Sequence, residues 1–241
     1  KLRGNKVAMI FQEPMTALNP TRRIGRQMED VIRQHRPLNR KQARERALEL
    51  LSDMQIADPA TVMQRYPFEL SGGMRQRVMI ALAFSCDPEL LIADEPTTAL
   101  DVTVQRQVLR LLKQKATATG TAVLFISHDM AVVSQVCDRL YVMYAGSVIE
   151  SGPTAPLLST PSHPYSAGLL SCSPEGSTPR AELTSIPGTV PNLAKLPSGC
   201  AFRERCFAAG AACDAAPVFQ PNTLPARQVA CWYPQPEHPL V

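Results

Sequence analysis

Leu91–Ile92–Ala93–Asp94–Glu95–Pro96 is the hexapeptide on which the reading of this chain turns. Leu90–Ala93 is a short apolar run bounded by Pro88 and Pro96, the pattern of a strand buried on both faces of a parallel sheet. Two adjacent carboxylates at the C-terminal end of such a strand stand where open α/β sheets bind their ligands. Asp94 suits Mg²⁺, directly or through water, and Glu95 suits polarising an attacking water. Read alone, the pair is more simply a solvated Asp-Glu at the start of a turn.

Working outward, strands and helices alternate. Met74–Cys86 reads as a helix with Val78, Ala81 and Leu82 inward. Val102–Ala118 is a second helix, stopped by Gly120, and Ala122–Ser127 is another buried strand, followed by a helix to about Cys137. Arg139–Tyr144 and Ser147–Glu150 flank Ala145–Gly146 as a hairpin. Strands separated by helices of this length predict an α/β fold with a mostly parallel sheet. Upstream, Val7–Phe11 is strand-like, and Ala43, Ala47, Leu50, Leu51 and Met54 fall on one helical stripe. Asp58–Pro59 starts a further helical turn. From Pro153 onward the composition changes: 15 of the 22 prolines lie there, and this stretch needs a staple or a partner surface to order it.

Composition bounds the rest. The 241 residues suffice for one large domain, or one domain plus a tail, and 45% apolar with 19% charged residues is ordinary for a folded chain. The net charge of +4 is mild and no Lys/Arg run is dense enough to argue for nucleic acid. No apolar run approaches the ~20 residues of a membrane span, and no signal-peptide core follows the opening Lys1–Asn5.

Other stretches share the chemistry of the carboxylates. Leu70–Ser71–Gly72–Gly73–Met74 offers two glycines and a serine at a helix start, where free N–H groups point at an anion. His128 follows the strand Ala122–Ser127 and suits a γ-phosphate; Gln12 follows the strand Val7–Phe11 and suits Mg²⁺ and water. Each has a plain structural reading: a common Ser-Gly-Gly helix start, a satisfied histidine, a loop glutamine.

In order, Gln12, Leu70–Met74, Leu90–Glu95, Ala99–Asp101 and His128 resemble the Q-loop, signature, Walker B, D-loop and H-loop of ABC-transporter ATPases. The order and spacing of five motifs set the resemblance, which covers essentially the whole chain. Met74 replaces the glutamine that usually ends the signature. The resemblance implies a P-loop NTPase-type α/β sheet with a helical insertion at about 13–70, a cassette over 1–152, and an irregular tail over 153–241. It implies ATP shared between two subunits, held by the phosphate loop of one and capped by Ser71, Gly72 and Gly73 of the other. Glu95 would be the general base, Asp94 a Mg²⁺ ligand, His128 the γ-phosphate switch and Gln12 the sensor and second Mg²⁺ contact. Asp101 would cross the dimer interface. No G-x-x-x-x-G-K-[ST] occurs in the 241 residues. The expectation is that this loop and an adenine-stacking aromatic precede Lys1, and that residues 1–241 alone are inactive.

Ser162–Leu170, containing His163–Pro164–Tyr165, looks like the segment that follows the cassette in oligopeptide and dipeptide importers. Read locally it is a turn and a short helix packed by Tyr165 and Leu169, with His163 as an alternative ligand. Cys200, Cys206, Cys213 and Cys231 are separated by five, six and seventeen intervening residues. By count they suit Zn²⁺ or a 4Fe-4S cluster, and the wide gaps favour the larger group; resemblance to peptide-importer ATPases points the same way. Free thiols or facultative disulfides are the plain alternative.

The family implies an ATPase powering import of dipeptides, oligopeptides or related small solutes. Its partners are a second ATPase subunit, two permease subunits and, indirectly, a solute-binding protein, at the cytoplasmic face of the plasma membrane. Met15, Leu18 and Met28 are candidates for contacts to the permeases, with core packing as the alternative. A DNA-repair or translation ATPase would carry a coiled-coil insertion or a tandem domain, and neither lies between Gln12 and Ser71. A metal-binding regulator built on an ATPase remnant would not need Glu95 and His128.

Overall fold

The computed structural model describes residues 2–12, 17–97, 100–172, 185–222 and 225–235. It forms two compact units, Lys1–His128 and Asp129–Val241. In the first unit β1 (Val7–Ile10) is followed, among the elements described, by α1 (Ile24–His35), α2 (Arg40–Asp53), α3 (Pro59–Gln64) and α4 (Gly72–Ala83). Next come β2 (Leu90–Asp94), α5 (Val102–Thr119) and β3 (Ala122–Ile126). The sheet runs β1-β2-β3, all parallel, with Ile10 beside Ala93 and Asp94 beside Ile126. All three C-terminal ends therefore face one edge.

Local chemistry explains where these helices start and stop. Asn39 and Gln42 close a reciprocal capping box at the start of α2. Asp58 accepts the N–H of Thr61 ahead of Pro59 at the first position of α3. Hydrogen bonds from Thr61, side chain first and then backbone, hold the Asp58 carboxyl below the usual carboxylate range. Gly120, at φ +67°, ends α5 in the left-handed region that a side chain disfavours.

The core of this unit joins one face of the sheet to the helices. Ile10, Leu91 and Ala93 pack in one cluster with Met28, Ile32, Leu50, Leu51, Ile80 and Phe84. Leu18 and Met28 are fully buried there, which settles their role as packing and removes them as surface contacts; Met15 lies outside the described residues. On the opposite face of the sheet Met9, Leu124 and Ile126 are exposed.

The second unit starts with α6 (Met130–Val136), capped by Asp129. The hairpin of β4 (Arg139–Tyr144) and β5 (Ser147–Pro153) turns through Ala145 and Gly146, both at positive φ. Then come α7 (Thr154–Ser159), α8 (Pro164–Ser171), β6 (Gln220–Pro221) and β7 (Gln228–Val229), and the sheet order is β4-β5-β7-β6. The Pro-rich chain is thus tied back to the hairpin by strand β7.

Three further devices hold this unit. Tyr144, Tyr165 and Phe202 pack ring against ring at centroid separations of 4.7–5.3 Å. Arg205 lies against two of these rings and donates to the carbonyls of Ile186 and Pro187, fastening that segment to the cluster. Glu150 and Arg227, both essentially unexposed, pair at 2.9 Å, and the same carboxylate accepts the N–H groups of Ser162 and His163. His163 caps α8 by accepting the N–H of Tyr165.

Candidate functional site: a bracketed carboxylate and a separate anion cap

Strand register builds the first half of the site. β1 and β3 flank β2 on either side and run the same way. Gln12, two residues past β1, and His128, two residues past β3, therefore flank Glu95, one residue past β2. The side chains meet: Gln12 Nε2 donates to Glu95 Oε2 at 2.8 Å, and His128 Nδ1 lies 2.7 Å from Glu95 Oε1. With Glu95 as a carboxylate, an acceptor only, His128 is the donor through Nδ1. Glu95 adopts φ +42°, uncommon for a residue with a side chain, and its N–H is held by the carbonyl of Ile126 at 3.0 Å. Asp94, the last residue of β2, completes this group at the strand ends.

The second half lies elsewhere in the same unit. Ser71 caps α4, accepting the N–H of Met74 at 3.3 Å, and Gly72 and Gly73 form the first turn. Gly73 is demanded by packing: a Cβ there would sit 2.7 Å from Val104 Cγ1 of α5. Asp101 caps α5 through the N–H of Val104 at 3.0 Å, so the residue expected at a dimer interface also starts this helix. These helix starts open onto a cavity of about 640 Å³, within the range of small-molecule sites. Its wall also includes Gln55, Asp58, Arg65 and Arg77, which sequence reasoning missed. No local motif marks that wall, because tertiary packing of three segments assembles it.

The expected site residues thus fall into two groups. Gln12, Asp94, Glu95 and His128 gather at the sheet edge; Ser71, Gly72, Gly73 and Asp101 gather at the cavity, whose lining contains none of the first group. Thr98 and Ala99, between them in sequence, lie outside the described residues.

The four tail cysteines are all unbridged. Burial pushes the Cys231 thiol up to about 11, with Cys206, Cys200 and Cys213 pushing in the same direction. The Cys206 thiol is likewise raised by burial, and then by Cys200 and Cys213. The Cys200 N–H donates to the Cys213 carbonyl at 2.9 Å, which brings these two segments together. Among the described residues, however, no three His, Cys, Asp or Glu side chains converge as ligands for one metal ion. His163, the other candidate ligand, is a buried helix cap: burial pulls its pKa down to about 4, partly offset by Glu150.

Comparison with known proteins follows the same division. Residues 1–98 match the ABC transporter family, and residues 149–213 match the oligopeptide/dipeptide transporter C-terminal region. The probable D,D-dipeptide transport ATP-binding protein DdpD of Escherichia coli (strain K12) is 70% identical over 235 residues, covering 98% of this chain and 72% of that protein. The chain belongs to the ABC-transporter ATP-binding proteins of the oligopeptide/dipeptide type. Another such ABC protein, the oligopeptide transport ATP-binding protein OppD of Salmonella typhimurium (strain LT2), is 45% identical over 236 residues, covering 98% of this chain and 70% of its own. Among solved structures, the dimeric post-hydrolysis state of the ATP-binding cassette MJ0796, bound to ADP and Pi, superposes with a TM-score of 0.55 at 27% identity. That match covers 63% of this chain and 64% of the other, and it agrees with an ABC ATPase fold. No helix among the described residues of this ABC subunit is long and apolar enough to cross a membrane.

Proposed function

We propose that this subunit hydrolyses ATP to drive import of dipeptides, oligopeptides or related small solutes, as one of two ATPase subunits docked on two permease subunits at the cytoplasmic membrane face. The observation that carries the reading is the Gln12–Glu95–His128 bracket at the ends of three parallel strands, set apart from an anion cap in the same chain. A chain with two unlike half-sites completes both only by pairing with a second subunit.

In this reading Glu95 takes a proton from the attacking water, and His128 steadies the terminal phosphate. Ser71, Gly72 and Gly73 aim backbone N–H groups at the nucleotide of the partner subunit. Asp94 would hold Mg²⁺ with Gln12, whose amide nitrogen faces Glu95 and leaves its oxygen free of that contact. When bound, the cation neutralises charge on the phosphates; the protein's part is positioning. The 241 residues hold no glycine-lysine phosphate loop, so the test needs the complete subunit assembled with its permeases. Glu95→Gln is expected to remove turnover while ATP binding persists; steady-state hydrolysis near the wild-type rate would refute the base assignment.

A second reading concerns the tail. Cys200, Cys206, Cys213 and Cys231 are separated by five, six and seventeen residues, wider gaps than the usual zinc-binding pairs. That spacing supports a 4Fe-4S cluster, with Zn²⁺ as the alternative, in a structural role that ties down a Pro-rich segment.

A further inference from the structure

We propose that Gln12 and His128 form a resting clamp on Glu95, holding its carboxylate until a nucleoside triphosphate with its divalent cation draws both residues away. The inference deepens the ATPase reading and rests on it. Each oxygen of the carboxylate that would accept a proton from water already accepts a side-chain donor: Gln12 Nε2 on Oε2 and His128 Nδ1 on Oε1. The donors come from opposite flanking strands, so the group is held from both sides.

The backbone beneath the carboxylate has little freedom to answer this hold. Glu95 sits at φ +42° with its N–H bonded to Ile126, so the position of the carboxylate is set by side-chain torsions and by whatever grips its end. The gripping side chains are far less confined. Gln12 is exposed and the His128 side chain is 77% exposed, against 21% for Glu95. Both can swing out without disturbing the core.

Each arm also carries chemistry for the substrate. Imidazole is a donor to phosphate oxygens, and the Gln12 amide oxygen is a hard ligand for a cation. A terminal phosphate competes with Glu95 for His128, and the cation competes for Gln12. The base is released when both are present, which protects the subunit against acting on a partly loaded site.

The test uses the complete subunit in its assembled transporter, without nucleotide. Exposed carboxyl groups are coupled to glycine ethyl ester with a water-soluble carbodiimide, and Glu95 is followed by peptide mass spectrometry. Gln12→Met and His128→Leu each remove one donor at an exposed position, and each is expected to raise Glu95 labelling about three- to tenfold, the scale of one lost hydrogen bond in a solvent-exposed setting. Labelling of Asp58, in another part of the same unit, reports that the fold is intact and should not change. Glu95 labelling unchanged in both variants overturns the clamp. The outcomes separate the two ideas: labelling that rises while Glu95→Gln still turns over supports a clamp on a residue that is not the base. A dead Glu95→Gln with labelling unchanged leaves the base and removes the clamp.

Discussion

Replacing Arg227 with methionine should unfold the second unit far more readily than its place near the end of the chain implies. The Arg227 and Glu150 side chains are 1% and 0% exposed, so neither charge has water to fall back on. The guanidinium also donates to the Thr160 carbonyl at 2.6 Å and to the Ser162 hydroxyl at 3.0 Å. Methionine fills much of the stem volume but leaves Glu150 with only the N–H groups of Ser162 and His163 among these partners. Removing one member of a buried pair costs about 3–5 kcal/mol, most of it for the charge left behind. Adding Glu150→Gln removes that stranded charge and keeps an oxygen for a backbone donor, so the double variant should be more stable than Arg227→Met alone. Trp232, the single tryptophan, lies in this unit, and its Nε1 donates to the Ala215 carbonyl. Urea unfolding followed by its fluorescence therefore reports this unit's own transition. A loss below about 1 kcal/mol in Arg227→Met, or a double variant weaker than the single, would refute the reasoning.

Two further outcomes are expected. The folded pKa of His163, about 4, lies below the ordinary 6.5 of an unfolded chain, so the unfolded state binds the proton first. Its contribution is complete above pH 6.5 and is lost as pH falls toward 4, a difference of about 3 kcal/mol. His163→Asn keeps a cap acceptor for Tyr165 and should flatten that acid limb in a pH series of melts; an unchanged slope would count against it. Anaerobic reconstitution with iron and sulfide should give broad visible absorbance that Cys206→Ser loses, whereas a colourless protein with stoichiometric zinc would rule the cluster out.

What could be read from sequence was local. Asp58–Pro59, Gly120 and Ala145–Gly146 act within one turn of chain, and the helix, stop and hairpin they predict are present. The parallel sheet was legible from the short apolar runs Leu90–Ala93 and Ala122–Ser127 between turn signals. The expectation that Ala122–Ser127 is buried is corrected: its strand alternates, and Leu124 and Ile126 are exposed on one face of the sheet. The Gln12–Glu95–His128 contacts could be anticipated only as three residues past three strand ends; the register that joins them is not written in any one segment. Pairings across long separations left no trace. Arg227 and Glu150 are 77 residues apart, and neither stands out in a stretch read for periodicity. Leu18 and Met28 illustrate another limit: a methionine on a stripe looks the same whether the stripe meets its own core or a neighbour.

The bracket around Glu95 is fixed by pairing within β1, β2 and β3, not by the loops that leave them. More than seventy residues separate Gln12 from Glu95, yet their meeting is decided by four paired positions before that excursion begins and the strand at its end. Connections can therefore lengthen, shorten or be exchanged while the three side chains keep their appointment. A helical module from another transporter could in principle be grafted between β1 and β2 to alter what the subunit docks onto, and the chemistry at the strand ends would not need to be rebuilt.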